Sequence, residues 1–407
     1  MWSPKTSAEL IQAIDEDTLP HEAAAFEVKT KLPERSKNSD IAVDVAAMAT
    51  DGGIIIYGVL ENKEKATFMA TPISLVGVKD RISEIISSNI REEVSFDVRL
   101  LPLEGDPSTG FVVVEVPASV RAPHMVEVRG EHRFYGRVPG GNRPLTESRI
   151  AALYERRALA DTAARRALDE AVAHAPIEPG DRRGDLFVVV RPLLSDSGVR
   201  ERALGDNEFQ AMLTAVKTAA SAIRFAQPWQ PHLGDLMSNC TDRTTLDGFM
   251  LWSPPFGAGI SHYVSSAELL DDGTLRFFRA DLLDDTNQDG LAHRTVRDTA
   301  AAQLIAQVSW LAGHLLEAGS YSGEVDVSVL ITELEGAASA QWFMGRGMFF
   351  PHASLPSIDA EEYRDTTRVR SSELKEKSCV IAEQLLRRLS RVIRVDSFPN
   401  PLETQDG

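Results

Sequence analysis

Residues 26–30 alternate apolar and charged side chains as a half-buried β-strand does, with Phe26 and Val28 on one side and Glu27 and Lys29 on the other. Helical spacing takes over at 38–49, where Ile41, Val45, Met48 and Ala49 share a face and Asn38 or Ser39 can cap the start. Gly52-Gly53 stops that helix, because glycine accepts the left-handed angles a helix end commonly needs. The apolar run 54–59 behind it reads as one buried strand closed by a turn. The same periodicities predict a helix over 78–90, strands over 94–101 and 111–117, a hairpin from 124–128 and 132–138, and a long helix over 146–174. Residues 138–144, with Gly140-Gly141 at their centre, read as a loop.

Residues 176–184 hold two prolines, two glycines and the run Asp181-Arg182-Arg183, which is linker composition. Beyond them strands are expected over 185–192, 274–282 and 325–334, and helices over 208–224, 293–318 and 371–392. The fold class is α+β in both halves: an N-terminal extension at 1–19, a mixed-sheet domain at 20–175, the linker at 176–184 and a second α+β domain at 185–407. At 407 residues the chain is too long for one ordinary domain. Its 43% hydrophobic and 25% charged content suits packed cores rather than disorder.

No apolar run reaches the roughly 18 residues a membrane helix needs, and the first residues lack a signal-peptide core, so a cytoplasmic protein without membrane contact is expected. The only cysteines, Cys240 and Cys379, allow at most one disulfide and no thiolate zinc site, in keeping with a reducing compartment. A net charge of −17 argues against indiscriminate binding to phosphate backbones. Charge is local, however, and 121–157 is rich in arginine, so Arg121, Arg133, Arg137 and Arg143 are candidate nucleic-acid contacts.

The candidate chemistry gathers near the N-terminus. Glu22 stands just ahead of the first strand, Glu27 on it, and Glu61 after the 54–59 run, so three carboxylates are expected to converge at one end of a small sheet. Crowded like charges should raise the pKa of at least one of them. Oxygen donors of this kind suit hard divalent cations. Gly52-Gly53 is no phosphate loop, since it follows a helix and precedes a strand, the reverse of what a P-loop requires. Asp51 occupies a turn position where Asp is common for backbone reasons. His314 reads as a core histidine, and His232, Asp235 and Cys240 carry no catalytic signature despite their closeness in sequence.

The pattern Glu22-x4-Glu27-x-Lys29, then a helix, Gly52-Gly53, an apolar strand ending Gly58-Val59, and Glu61 resembles the AlbA_2 domain of the schlafen family. The likeness continues through 111–117 and His132-Arg133-Phe134-Tyr135-Gly136-Arg137, covering about residues 20 to 155. Two features depart from the family: Glu61 replaces the usual Asp, and Ala49-Thr50-Asp51 replaces polar residues before the glycines. The resemblance implies a metal-dependent endoribonuclease cutting structured RNA, tRNA above all, with Glu22, Glu27 and Glu61 holding Mg²⁺ or Mn²⁺. Lys29 would steady the carboxylates or offset charge on the phosphate. A single lobe is a shallow platform for so large a substrate, so either a homodimer or the second domain is expected to supply the opposite wall. The competing reading is a noncatalytic regulator that binds nucleic acid or nucleotide on the same fold.

Overall fold

In the computed structural model the chain begins with a capped helix, α1 (Ser7–Asp15), whose Glu9 amide donates to the Thr6 hydroxyl at 3.2 Å. Leu10, Ala13 and Ile14 on its inner face, with Leu19, pack against Phe26, Ile54, Ile56, Phe111 and Val113. The segment expected as an extension is therefore part of the first core. Residues described are 2–20, 25–62, 67–92, 94–128, 130–138, 141–176, 184–194, 197–224, 232–237, 240–253, 264–288, 291–341 and 356–395. Contacts divide the chain into two compact units, Met1–Asp161 and Thr162–Gly407.

The first unit continues through β1 (Phe26–Lys29), α2 (Asn38–Met48), β2 (Gly53–Tyr57), β3 (Val59–Asn62), β4 (Thr67–Ala70), β5 (Ile73–Ser74), α3 (Val78–Asn89), β6 (Asp97–Leu103) and β7 (Asp106–Val116). Then come β8 (Met125–Val128), β9 (Glu131–Val138), β10 (Gly141–Pro144) and the start of α4 (Glu147–Ala173). The main sheet runs β1-β2-β7-β5, with β6 also on β7, which leaves β1 as an edge strand, parallel to β2. Alternation within β2 sends Ile54 and Ile56 to the α1 side and Ile55 and Tyr57 to the side covered by α2 and α3. A side chain at Gly53 would place its Cβ 2.1 Å from the Met48 sulfur and 3.0 Å from the Ala25 carbonyl oxygen, so Met48 would have to shift to admit it.

Two expectations are corrected here. The run 54–59 is not one strand: Gly58, at φ +99°, turns the chain out of β2, and β3 pairs with β4 in a separate hairpin. Residues 138–144 are not a loop throughout, because β10 pairs antiparallel with β9, setting Asn142 opposite Arg137.

The second unit contains β11 (Leu186–Pro192), α5 (Val199–Leu204), α6 (Glu208–Ala222), β12 (Thr241–Thr244), β13 (Gly248–Ser253), β14 (Ser265–Leu270), β15 (Leu275–Arg279), β16 (Leu283–Gln288), β17 (Leu291–Val296) and α7 (Asp298–Ala318). It ends with β18 (Glu324–Ile331), β19 (Ala338–Ser339), β20 (Tyr363–Arg370), α8 (Glu373–Glu376) and α9 (Ser378–Val392). Seven strands form an antiparallel sheet in the order β12-β13-β14-β15-β11-β18-β20. The buried helix α7 packs on one face with α5, α6 and α9. On the other, Ala167, Leu168 and Ala171 from the end of α4 cover Phe187, Val189, Phe278 and Leu330. That packing places the unit boundary within α4, while 177–183 of the expected linker lie outside the described residues. The helix expected from 293 begins at Asp298, because 291–296 pairs as a strand with β16. No helix among the described residues is long and apolar enough to cross a membrane.

Candidate functional site

Because β1 is an edge strand with Phe26 and Val28 turned to the α1 core, Glu27 and Lys29 project to the opposite face, beside α2. There they meet Asp44 of α2. The Lys29 Nζ lies 2.5 Å from Asp44 Oδ2 and 3.4 Å from Glu27 Oε1. Arg137 of β9 donates from Nη1 to Glu27 Oε2 at 2.6 Å and to Asn142 Oδ1 at 3.2 Å. Asn142 of β10 closes the ring by donating to Asp44 Oδ1 at 2.6 Å. Two carboxylates and two cations thus balance in one network drawn from four elements. Its loosest link is Lys29 to Glu27.

Burial decides the electrostatics. The Asp44 side chain is 7% exposed; its burial first, and the Glu27 charge next among the raising effects, lift its carboxyl to about 6, against the pull of Lys29 and Asn142. Burial works against the Lys29 charge, yet Asp44 and then Glu27 outweigh it, and the ammonium is held above its ordinary range. Beneath them Tyr57, Lys29's register partner on β2, is fully buried, and its hydroxyl has no hydrogen-bond partner among the described residues. Burial, then the Asp44 and Glu27 charges, keep that hydroxyl un-ionised.

Glu22 lies outside the described residues. Glu61 is half-exposed on β3, opposite Phe68 in the β3–β4 hairpin. Among the described residues no group of three or more His, Cys, Asp or Glu side chains is gathered to hold a metal ion. Arg137 sits in the ring, whereas Arg133 is exposed and paired with Glu131 at 2.7 Å. Arg121 and Arg143 are exposed. Several other arginines of 121–157 tie α4 down: Arg149 pairs with Asp51 at 3.2 Å, Arg156 donates to the Thr50 carbonyl at 2.9 Å, and Arg157 pairs with Glu92 at 2.9 Å. Asp51 is thereby a structural anchor.

The sequence reading missed Asp44, Asn142 and Tyr57. Asp44 had a signal: it is a charge set inside 41–49, where only Val43 of its neighbours escapes full burial. In the second unit His232 stands 3.6 Å from Asp235, which pairs with the buried Arg279 at 3.1 Å. Burial pushes the Cys240 thiol up, away from the reactive thiolate. His314 stacks on Trp310 with ring centroids 5.5 Å apart, a packing role.

Residues 22–146 match the family model described as Schlafen, AlbA_2. No curated protein matches the chain.

Proposed function

The first unit carries a Schlafen AlbA_2 domain, and on that premise we propose that the protein is a cytoplasmic, metal-dependent endoribonuclease acting on structured RNA such as tRNA. The observation that carries this reading is the Glu27-x-Lys29 pair on the edge strand β1 within the matched residues, with Lys29 3.4 Å from Glu27 Oε1. Carboxylate oxygens are the donors a hard divalent cation takes, and Glu27 supplies one such group among the described residues. Glu22, Glu27 and Glu61 would hold Mg²⁺ or Mn²⁺, which supplies an activated water and offsets charge on the phosphate. Arg137 fixes the Glu27 carboxylate by a charge-assisted bond. Lys29 would offset charge on the phosphate.

The test is cleavage of total tRNA by the purified chain with Mn²⁺, beside Glu27→Ala. Activity should need the metal and should fall in the variant by more than about 100-fold, the upper end seen for residues one step removed from a metal. Metal-independent binding without cleavage would favour the noncatalytic regulator instead. That second reading draws on one observation: Glu27 Oε2 and both Asp44 oxygens already hold protein donors.

RNA contact in this reading falls to the exposed arginines. Replacing Arg121 and Arg143 together by alanine should weaken RNA binding and reduce the slope of log affinity against log salt by roughly 1.4–1.8. Filter binding across a salt series measures it. An unchanged slope would remove these two residues from the interface.

A further inference from the structure

Among the described residues Tyr154 on α4 is the one exposed aromatic side chain, with 46% of its surface open to water. A ring left there forgoes the burial that aromatic side chains ordinarily give a fold. It is held in place nonetheless. Phe134 of β9 packs perpendicular to it, at 90° with ring centroids 6.3 Å apart, which orients the Tyr154 ring while close to half of it stays in water. Positive charge stands beside this pair. Phe134 lies opposite Met125 on β8, and the Met125 carbonyl accepts from the Arg91 amide at 3.1 Å, so the backbone brings Arg91 next to the rings. The Arg91 side chain is exposed and has no ion-pair partner among the described residues. Its sequence neighbour Glu92 is already met at 2.9 Å by Arg157, one helical turn beyond Tyr154. Phe134 falls on the β9 face opposite Tyr135, which packs in the core, and Arg137, which holds Glu27. The ring pair is therefore remote from the Glu27 network.

We propose that Tyr154 and Arg91 form a separate RNA contact in which the Tyr154 ring stacks on an unpaired base and the Arg91 guanidinium takes an adjoining phosphate. The inference rests on RNA being the substrate in the reading above, and it names which part of a folded RNA the chain grips. A duplex hides its base faces against one another and offers phosphates, whereas a loop or single-stranded end offers a bare base and a phosphate together. An exposed ring beside an exposed guanidinium complements the second and not the first. Base stacking on an aromatic side chain also tolerates any sequence, since every base has a flat face.

The test is fluorescence anisotropy of the full-length chain, with chelator present to prevent cleavage, on a hairpin RNA with an unpaired loop and on a blunt duplex of the same stem. Tyr154→Ala should weaken hairpin binding about 5- to 100-fold and leave duplex binding unchanged. Tyr154→Phe keeps the ring and should bind as the wild type does. Tyr154→Leu keeps apolar packing on Phe134 but cannot stack, so it should be as weak as Tyr154→Ala, which a merely structural role would not produce. Arg91→Ala should reduce the slope of log affinity against log salt on the hairpin by about 0.7. With iodouridine in the loop, ultraviolet crosslinking and mass spectrometry should place the adduct on Tyr154. Equal losses on hairpin and duplex, a Tyr154→Phe variant as weak as Tyr154→Ala, an unchanged salt slope in Arg91→Ala, or a wild type that binds neither RNA would each overturn the proposal. Unchanged RNA affinity in Tyr154→Ala would overturn it too, and lost self-association in that variant would assign the ring to an interface between copies. Hairpin binding that behaves as expected in a chain without Mn²⁺-dependent cleavage would overturn the nuclease reading alone.

Discussion

Between about pH 4 and 6 the contributions of Asp44 and His124 to the first unit's stability should run in opposite directions, and two single variants should separate them. Asp44 has its carboxyl raised to about 6 by burial, so across this window the folded unit binds a proton that the unfolded chain releases. Its contribution therefore falls as pH rises from about 4 to 6, by about 3 kcal/mol in all. His124 does the reverse. Its ring is fully buried, with Nε2 2.9 Å from Ser119 Oγ. Burial lowers its pKa to about 4, with Glu92 opposing and Arg157 and Arg121 assisting. The unfolded chain now binds the extra proton, so this contribution rises with pH from about 4 to 6.5, again by about 3 kcal/mol. Asp44→Asn should expose the His124 rise, and His124→Gln the Asp44 fall. Urea titrations with chelator present, followed by hydrogen exchange in 112–116, would measure both. A flat profile in either variant would contradict the assignment.

Replacing Asp326 by alanine should cost the second unit about 3 kcal/mol, the low end for breaking a buried ion pair because its partners can still reach water. Asp326 is 1% exposed and lies directly across from Arg191 on β11 and Arg368 on β20, so the three form one row over three neighbouring strands. Arg191 donates to it at 3.0 Å and Arg368 at 2.8 Å. Since β20 is an edge strand, the row also pins its register. Hydrogen exchange in Tyr363–Arg370 should accelerate in the variant far more than in β14 or β15. Uniform acceleration across the sheet would mean that the row stabilises the unit without holding the edge.

The elements legible in the sequence are those whose burial imposes a period. The alternation at Phe26–Lys29 and the helical spacing of Ile41 and Val45 both emerge as expected, as do α3 and β18. Strands β12 (Thr-Asp-Arg-Thr) and β20 were invisible because they lie at the sheet's edges and carry mainly polar side chains, which leaves no apolar rhythm to detect. The site divides in the same way. Glu27 and Lys29 announce themselves on one short strand, but Arg137 reaches Glu27 across 110 residues and Asn142 reaches Asp44 across 98. Such partners are set by which hairpin lands beside α2, a tertiary outcome that no local pattern encodes. The arginine-rich stretch misled for a related reason: composition counts charges, whereas Asp51 and Glu92 had already claimed several of them.

The placement of α1 bears on where this domain begins as a physical object. Family likeness starts at residue 22, yet Leu10, Ile14 and Leu19 close one whole side of the sheet, each worth about 2 kcal/mol of apolar burial. A polypeptide cut to the boundaries of likeness would present Phe26, Ile54, Ile56 and Phe111 to water as a bare, sticky plate next to an unpaired edge strand. Evolutionary kinship and mechanical integrity are thus drawn along different lines in this chain, and the helix that falls between them is a lid on the hydrophobic side of the very strand that carries Glu27.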